Sequence, residues 1–213
     1  MAAGRFITFE GGEACGKSTQ IQKLAERLRC EGRTVRLLRE PGGTPLGEKI
    51  RHLLKHDPDG RGMASETELL LMNASRAELV RQVIRPALAA GEVVLCDRFY
   101  DSTTAYQAHG RQLDAAAVHA VIAFAVGPTR PDLTLLFRLP RAEALRRLSH
   151  RQATTLPAED RFEAEKEAFF ERVEAGYAAV ATAEPARIQT VNAADTVEAV
   201  AEVVWARVAR VLA

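Results

Sequence analysis

Cysteine is scarce in this chain of 213 residues: three, at Cys15, Cys30 and Cys96, an odd number with no Cys-x-x-Cys spacing. Neither a disulfide framework nor a thiolate zinc site is built from such a set, and the thiols read as reduced ones. Long apolar runs are missing. None reaches eighteen residues, and no basic stretch leads into an apolar one at the start, so neither a membrane span nor a secretory leader is expected and the expected location is cytoplasmic. Net charge is lacking too, with 29 Lys plus Arg against 28 Asp plus Glu, a formal +1. A field that weak gathers neither nucleic acid nor an anionic membrane, so any anion must be caught locally. Lysine itself is rare, five against 24 arginines, so a lysine at a special position tells more than an arginine does.

What is present describes one soluble domain, 1–213, with 47% apolar and 27% charged residues. A chain of this size removes roughly 70% of its extended surface on folding, enough for a core without staples. Short apolar runs at Phe6–Glu10, Val35–Arg39, Val93–Asp97, Leu133–Leu139 and Ile188–Asn192 alternate with helical stretches. That alternation predicts an α/β fold with a parallel sheet covered on both faces. Ser65 with Glu68 reads as a capping box opening a long helix that Gly91 closes, and Asp195 with Glu198 as the start of the last helix. The polar stretch from His150 to Asp160 interrupts two helical patterns and reads as a flap, within a lid of about 146–162.

The sharpest motif is Gly11-Gly12-Glu13-Ala14-Cys15-Gly16-Lys17-Ser18, followed by Thr19, between the first strand and a helix. It is a P-loop in the context that motif requires. Glycines let backbone N–H groups turn inward, the helix N-terminus adds positive potential, Lys17 neutralises outer phosphates and Ser18 ligates Mg²⁺. A guanine-reading Asn/Thr-Lys-x-Asp element is absent: the one Lys-x-Asp, Lys55-His56-Asp57, follows Leu54. The third strand ends in Asp97-Arg98, at the sheet edge where open α/β folds bind ligands. Asp97 there suits the Mg²⁺ shell, or else caps the next turn, and Arg98 suits a second phosphate. On the long helix an apolar stripe, Leu69, Met72, Leu79 and Val83, is broken at Arg76. A guanidinium in core register needs a partner, either a bound polar ligand or an internal carboxylate.

Together Phe9-Glu10-Gly11-Gly12-Glu13, Arg39-Glu40-Pro41-Gly42-Gly43-Thr44, Asn73-Ala74-Ser75-Arg76 and Asp97 through Gln107, in that order, resemble bacterial thymidylate kinases over most of the chain. The resemblance implies a five-stranded P-loop fold of order 2-3-1-4-5, ATP and Mg²⁺, transfer of the γ-phosphoryl group to dTMP, and a homodimer. It implies that Glu13 and Glu40, with Pro41, lie near the deoxyribose and acceptor phosphate, and that Arg51 and Arg98 hold that phosphate. Arg76 would meet the thymine edge, with Ser75, Thr103 and Gln107 around the base and Tyr106 near the sugar C2′. As residues alone, Glu40 and Tyr106 also read as a turn carboxylate and a core aromatic.

Phosphoryl transfer asks mainly for position and charge, so Lys17 and mobile arginines are the expected machinery and no general base is named. With Ala14 where some relatives carry a P-loop arginine, the flap is expected to supply it. Arg151 or Arg161 is the expected finger, while Arg146 and Arg147 also read as a solvated helix face. Met72 stands where an aromatic residue is usual. Cys15, at a helix N-terminus, is in a place that favours thiol reactivity. The rival readings are a kinase for another deoxynucleoside monophosphate and a non-catalytic ATP switch, against which a second anion clamp argues.

Overall fold

The computed structural model describes residues 4–154, 161–162 and 165–212, with side chains except those of 150–154. Among these residues five strands form one sheet: β1 (Arg5–Gly11), β2 (Val35–Arg39), β3 (Val93–Asp97), β4 (Leu133–Arg138) and β5 (Ile188–Asn192). All pairings are parallel, in the order β2-β3-β1-β4-β5, and Phe9 of β1 sits level with Asp97 and Leu135.

Side chains alternate between the two faces of a strand, and the core divides accordingly. Ile7 enters one layer with Leu24 and Leu28 of α1 (Lys17–Cys30) and Val204 and Val208 of α9 (Val197–Leu212). Its neighbour Phe6 enters the other, with Leu79 of α3 (Ser65–Leu79) and Ile122 of α6 (Ala115–Val126). With both faces covered, the inner strands read as apolar runs rather than as alternation. A third cluster packs Phe169, Val173 and Tyr177 of α8 (Glu167–Ala183) on Ala105 and Tyr106. The remaining helices are α2 (Pro45–Lys55), α4 (Arg85–Ala89), α5 (Tyr100–Thr103) and α7 (Arg141–Thr154).

The chain from β1 enters α1 on one face, while adjacent β3 leads toward α6 on the other, so a crevice opens between their carboxyl ends. Two segments are wound as wider π turns. One, at Val80–Ile84, precedes Pro86, which has no N–H and crowds the carbonyl four residues back. The other, Thr104–Gly110, follows α5 and carries Tyr106 and Gln107.

Three expectations from the sequence are corrected. Ser65 and Glu68 form no capping box: the cap position is Ala64, and the Glu68 side chain is buried in an ion-pair cluster. The last helix is capped by Thr196, whose Oγ1 accepts from the Ala199 N–H at 3.2 Å, rather than by Asp195. The helical pattern is not interrupted at His150, since α7 stays helical through Thr154; residues 155–160 lie outside those described. Gly91, at φ +79°, does follow the long helix as expected, because only glycine enters that conformation without a steric cost.

Candidate active site

The loop between β1 and α1 is wound tightly by conformations that side chains disfavour. Gly11 and Gly16 lie at φ +130° and +84°, and a Cβ on Gly11 would meet the carbonyl oxygen of Phe137 in β4. The Lys17 ammonium donates to the carbonyls of Gly11 at 3.1 Å and Gly12 at 2.6 Å. Cys15 is buried, its Sγ donating to the Gly12 carbonyl at 3.1 Å, so its thiol faces the loop's own backbone. Ser18 Oγ donates to Asp97 Oδ2 at 3.3 Å, joining the loop to the end of β3. A hydroxyl and a carboxylate are hard oxygen ligands of the kind Mg²⁺ takes alongside phosphates and water.

A cleft of about 510 Å³ opens over this edge. Glu13 through Thr19 and Asp97 line one end; Glu40, Pro41, Arg51, Met72, Arg98, Thr103, Tyr106 and Gln107 line the rest.

Arg98 sits at φ +69°, a conformation costing a non-glycine residue about 1–3 kcal/mol. Its surroundings hold it there. Nη1 donates to Ser102 Oγ at 3.1 Å and Tyr177 Oη at 2.9 Å, and the guanidinium lies 5.2 Å from the Tyr106 ring centroid. Both hydroxyls reach Glu10 Oε2, at 2.5 and 3.2 Å, while Glu10 Oε1 accepts from the Phe99 N–H at 2.7 Å. Burial, reinforced by the Asp101 charge, pushes the Glu10 carboxyl up to about 7, against the pull of Arg98 and these hydrogen bonds.

Arg76, 2% exposed, has its partner inside the protein: it donates through Nε to Glu40 Oε2 at 2.8 Å, through Nη1 to Asn73 Oδ1 at 2.8 Å and through Nη2 to the Phe99 carbonyl at 3.3 Å. Glu40 Oε1 is buried without a hydrogen-bond partner, and burial raises the Glu40 carboxyl above its ordinary value although Arg76 opposes this. Ser75 Oγ accepts from the Gly42 N–H at 3.0 Å, fixing the loop after β2. Arg51 donates to the Pro41 carbonyl at 2.9 Å.

Most of the expected residues therefore converge. Ser75 and Arg76 stand behind the cleft wall rather than on it, and Arg161 is drawn away, donating to Glu68 at 2.6 Å and to the Leu54 carbonyl at 3.1 Å. The expected finger Arg161 thus does not line the cleft, because a buried carboxylate claims it. Arg151 lies on α7 with its side chain outside the described residues. Arg147, which the sequence leaves open between a flap cation and a solvated face, lines the cleft, where its Nε donates to Glu143 at 2.8 Å. Arg39, Lys55, Ser102 and Phe162 line it as well. Glu10 and Tyr177 were not singled out; the signal for Glu10 was an acid closing an apolar strand directly before the P-loop.

A parallel sheet with a P-loop on β1, an Asp-Arg pair ending β3 and a second set of cations in the same cleft defines a P-loop phosphotransferase shaped for two phosphate-bearing ligands. The thymidylate kinase family model matches residues 9–204. Thymidylate kinase of Alcanivorax borkumensis is 51% identical over 198 residues, covering 93% of this chain and 92% of that protein. That of Solidesulfovibrio magneticus is 48% identical over 209 residues, covering 97% and 100%. The crystal structure of thymidylate kinase from Ehrlichia chaffeensis superposes with a TM-score of 0.77 at 31% identity, over 97% of this chain and 98% of that one. The chain belongs to the thymidylate kinase family.

Proposed function

We propose that this protein transfers the γ-phosphoryl group of ATP to dTMP, giving ADP and dTDP, with the roles distributed along the cleft as follows. A phosphate oxygen of dTMP attacks the γ-phosphorus, and the new O–P bond forms as the bond to the β-phosphate oxygen breaks. The observation that carries this reading is one continuous cleft with the P-loop and Lys17 at one end and Arg51 and Arg98 at the other. A protein using ATP only as a conformational ligand has no need of the second set.

In this reading Gly11 through Thr19 cradle the ATP phosphates, and Arg98, held by Ser102 and Tyr177, clamps the acceptor phosphate with Arg51. The unpartnered Glu40 Oε1 suits a sugar hydroxyl, and Tyr106, Thr103, Met72 and Gln107 wall the base. Arg76 acts through Glu40 and the wall it supports. Arg147 is the flap cation assigned to the transferring phosphate, with Arg151 the next on the same helix. Ser18 and Asp97 would hold Mg²⁺, which when bound neutralises charge on the phosphate oxygens.

The expected test result is ADP release that is fastest with dTMP when dTMP, dUMP, dCMP, dGMP and dAMP are compared; equal rates on all five, or none on dTMP, would overturn the assignment. A homodimer is supported by Phe124, 92% exposed on α6, and Leu70, 58% exposed on the adjoining α3, a placement that favours covering by a second copy. Light scattering on Phe124→Glu tests it, with a shift to monomer expected. Among the described residues no helix is long and apolar enough to cross a membrane. The free thiols, one of them exposed, suit a reducing cytoplasm.

A further inference from the structure

Glu68 of α3 is fully buried and shared among three side chains. Its Oε1 accepts from Gln107 Nε2 at 2.8 Å and Arg111 Nε at 3.1 Å; its Oε2 accepts from Arg111 Nη2 at 2.9 Å and Arg161 Nη2 at 2.6 Å. Arg111 continues to Glu165 at 2.6 Å. Burial alone would raise this carboxyl, but the hydrogen bonds from Arg111 and Gln107 bring it below its ordinary value, so it is ionised at neutral pH.

An ionised carboxylate only accepts. Gln107 must therefore turn its NH₂ toward Glu68, and the orientation of this amide, ambiguous by shape alone, is settled by chemistry. Its Oε1 has no hydrogen-bond partner among the described residues, while Gln107 itself lines the cleft. We propose that Glu68 is a positioning residue for base choice: by claiming the Gln107 NH₂ it presents the Gln107 Oε1 to the bound base as an acceptor. That acceptor matches the N3–H of thymine and opposes the bare N3 lone pair of cytosine. The inference rests on the reading that Gln107 faces the base.

The test compares kcat/KM for dTMP and dCMP. Gln107→Leu comes first: an unchanged dTMP/dCMP ratio removes Gln107 from base reading, and the inference falls with that role. Where the ratio drops, Glu68→Gln is expected to lower it by about tenfold, because the arginines take the carbonyl oxygen of the new side chain and leave its NH₂ facing Gln107, which then turns its own NH₂ to the cleft. Glu68→Asp, still an acceptor, is expected to keep the ratio. Equal loss on both nucleotides in Glu68→Gln would mean that Glu68 only supports the fold, and would overturn the inference. An independent measurement needs no Glu68 variant. In the wild-type protein the Gln107 side-chain amide protons, assigned by their loss in Gln107→Leu, are expected to exchange slowly with solvent before nucleotide is added. Exchange at the rate of an exposed glutamine would equally overturn it.

Discussion

At the P-loop end of the cleft, consecutive residues from Gly11 to Thr19 are held by backbone conformation. At the other end Glu40, Arg51, Arg76, Arg98 and Gln107 come from separate elements and are held by side-chain hydrogen bonds and ion pairs. Phosphates look alike, so a loop of N–H groups and one ammonium suffices for them. A nucleoside is told from its relatives by polar groups at set angles, which only side chains converging from several directions provide. The second arrangement is coupled: Glu40 and Arg76 are each other's counter-charges, and Arg98 and Gln107 are held by further side chains behind them, so a substitution there touches stability as well as binding.

The largest effect that tests this contrast is expected from Arg76→Ala, which strands Glu40 in the core without its counter-charge. Breaking a buried pair costs about 3–5 kcal/mol, read by urea unfolding, whereas an apolar pair such as Glu40→Leu with Arg76→Met is expected to regain stability without regaining activity. Lys17→Ala is expected to lower kcat by about 10²–10³-fold while leaving unfolding nearly unchanged, since it removes charge from the transfer step and breaks no ion pair. If Lys17→Ala destabilised the fold as much as Arg76→Ala does, the contrast would collapse.

Glu10 gives a pH signature for the coupled end. Folded, it keeps its proton up to about 7, where an ordinary glutamate releases it near 4.5. A raised carboxyl contributes stability that is full below about 4.5 and is lost as pH rises through about 7, by up to about 1.4 kcal/mol per pH unit. Glu10→Gln is expected to flatten unfolding free energy across that window, and an unaltered slope would assign the titration elsewhere. The smallest effect is expected from Tyr177→Phe, which removes one of the two hydroxyls holding Arg98: KM for dTMP rises about tenfold, with KM for ATP unchanged.

The same contrast explains what was legible in the sequence. Strands and P-loop were, because each is written in neighbouring residues, by apolar runs or glycine spacing. Arg76 announced itself because a charge in an apolar stripe demands a partner, although Glu40 as that partner was not visible 36 residues away. Glu68 was misread because a local pattern sees only Ser65 three residues before it, while Arg111 and Arg161 lie 43 and 93 residues beyond. Arg161 is read by its place beside the flap, and the carboxylate it meets, Glu68, is 93 residues away and sends no local signal. Tyr177 looked like any aromatic on an apolar helix.

At the end of β1, Glu10 reaches sideways to the Arg98 cluster while Gly11 turns into the P-loop, so the two halves of the cleft hang from consecutive residues. The spacing between those two halves is thus set at its root by a single peptide bond, the stiffest ruler a polypeptide has. Inserting even one residue there would put the two halves out of gauge with each other while deleting no side chain of the site.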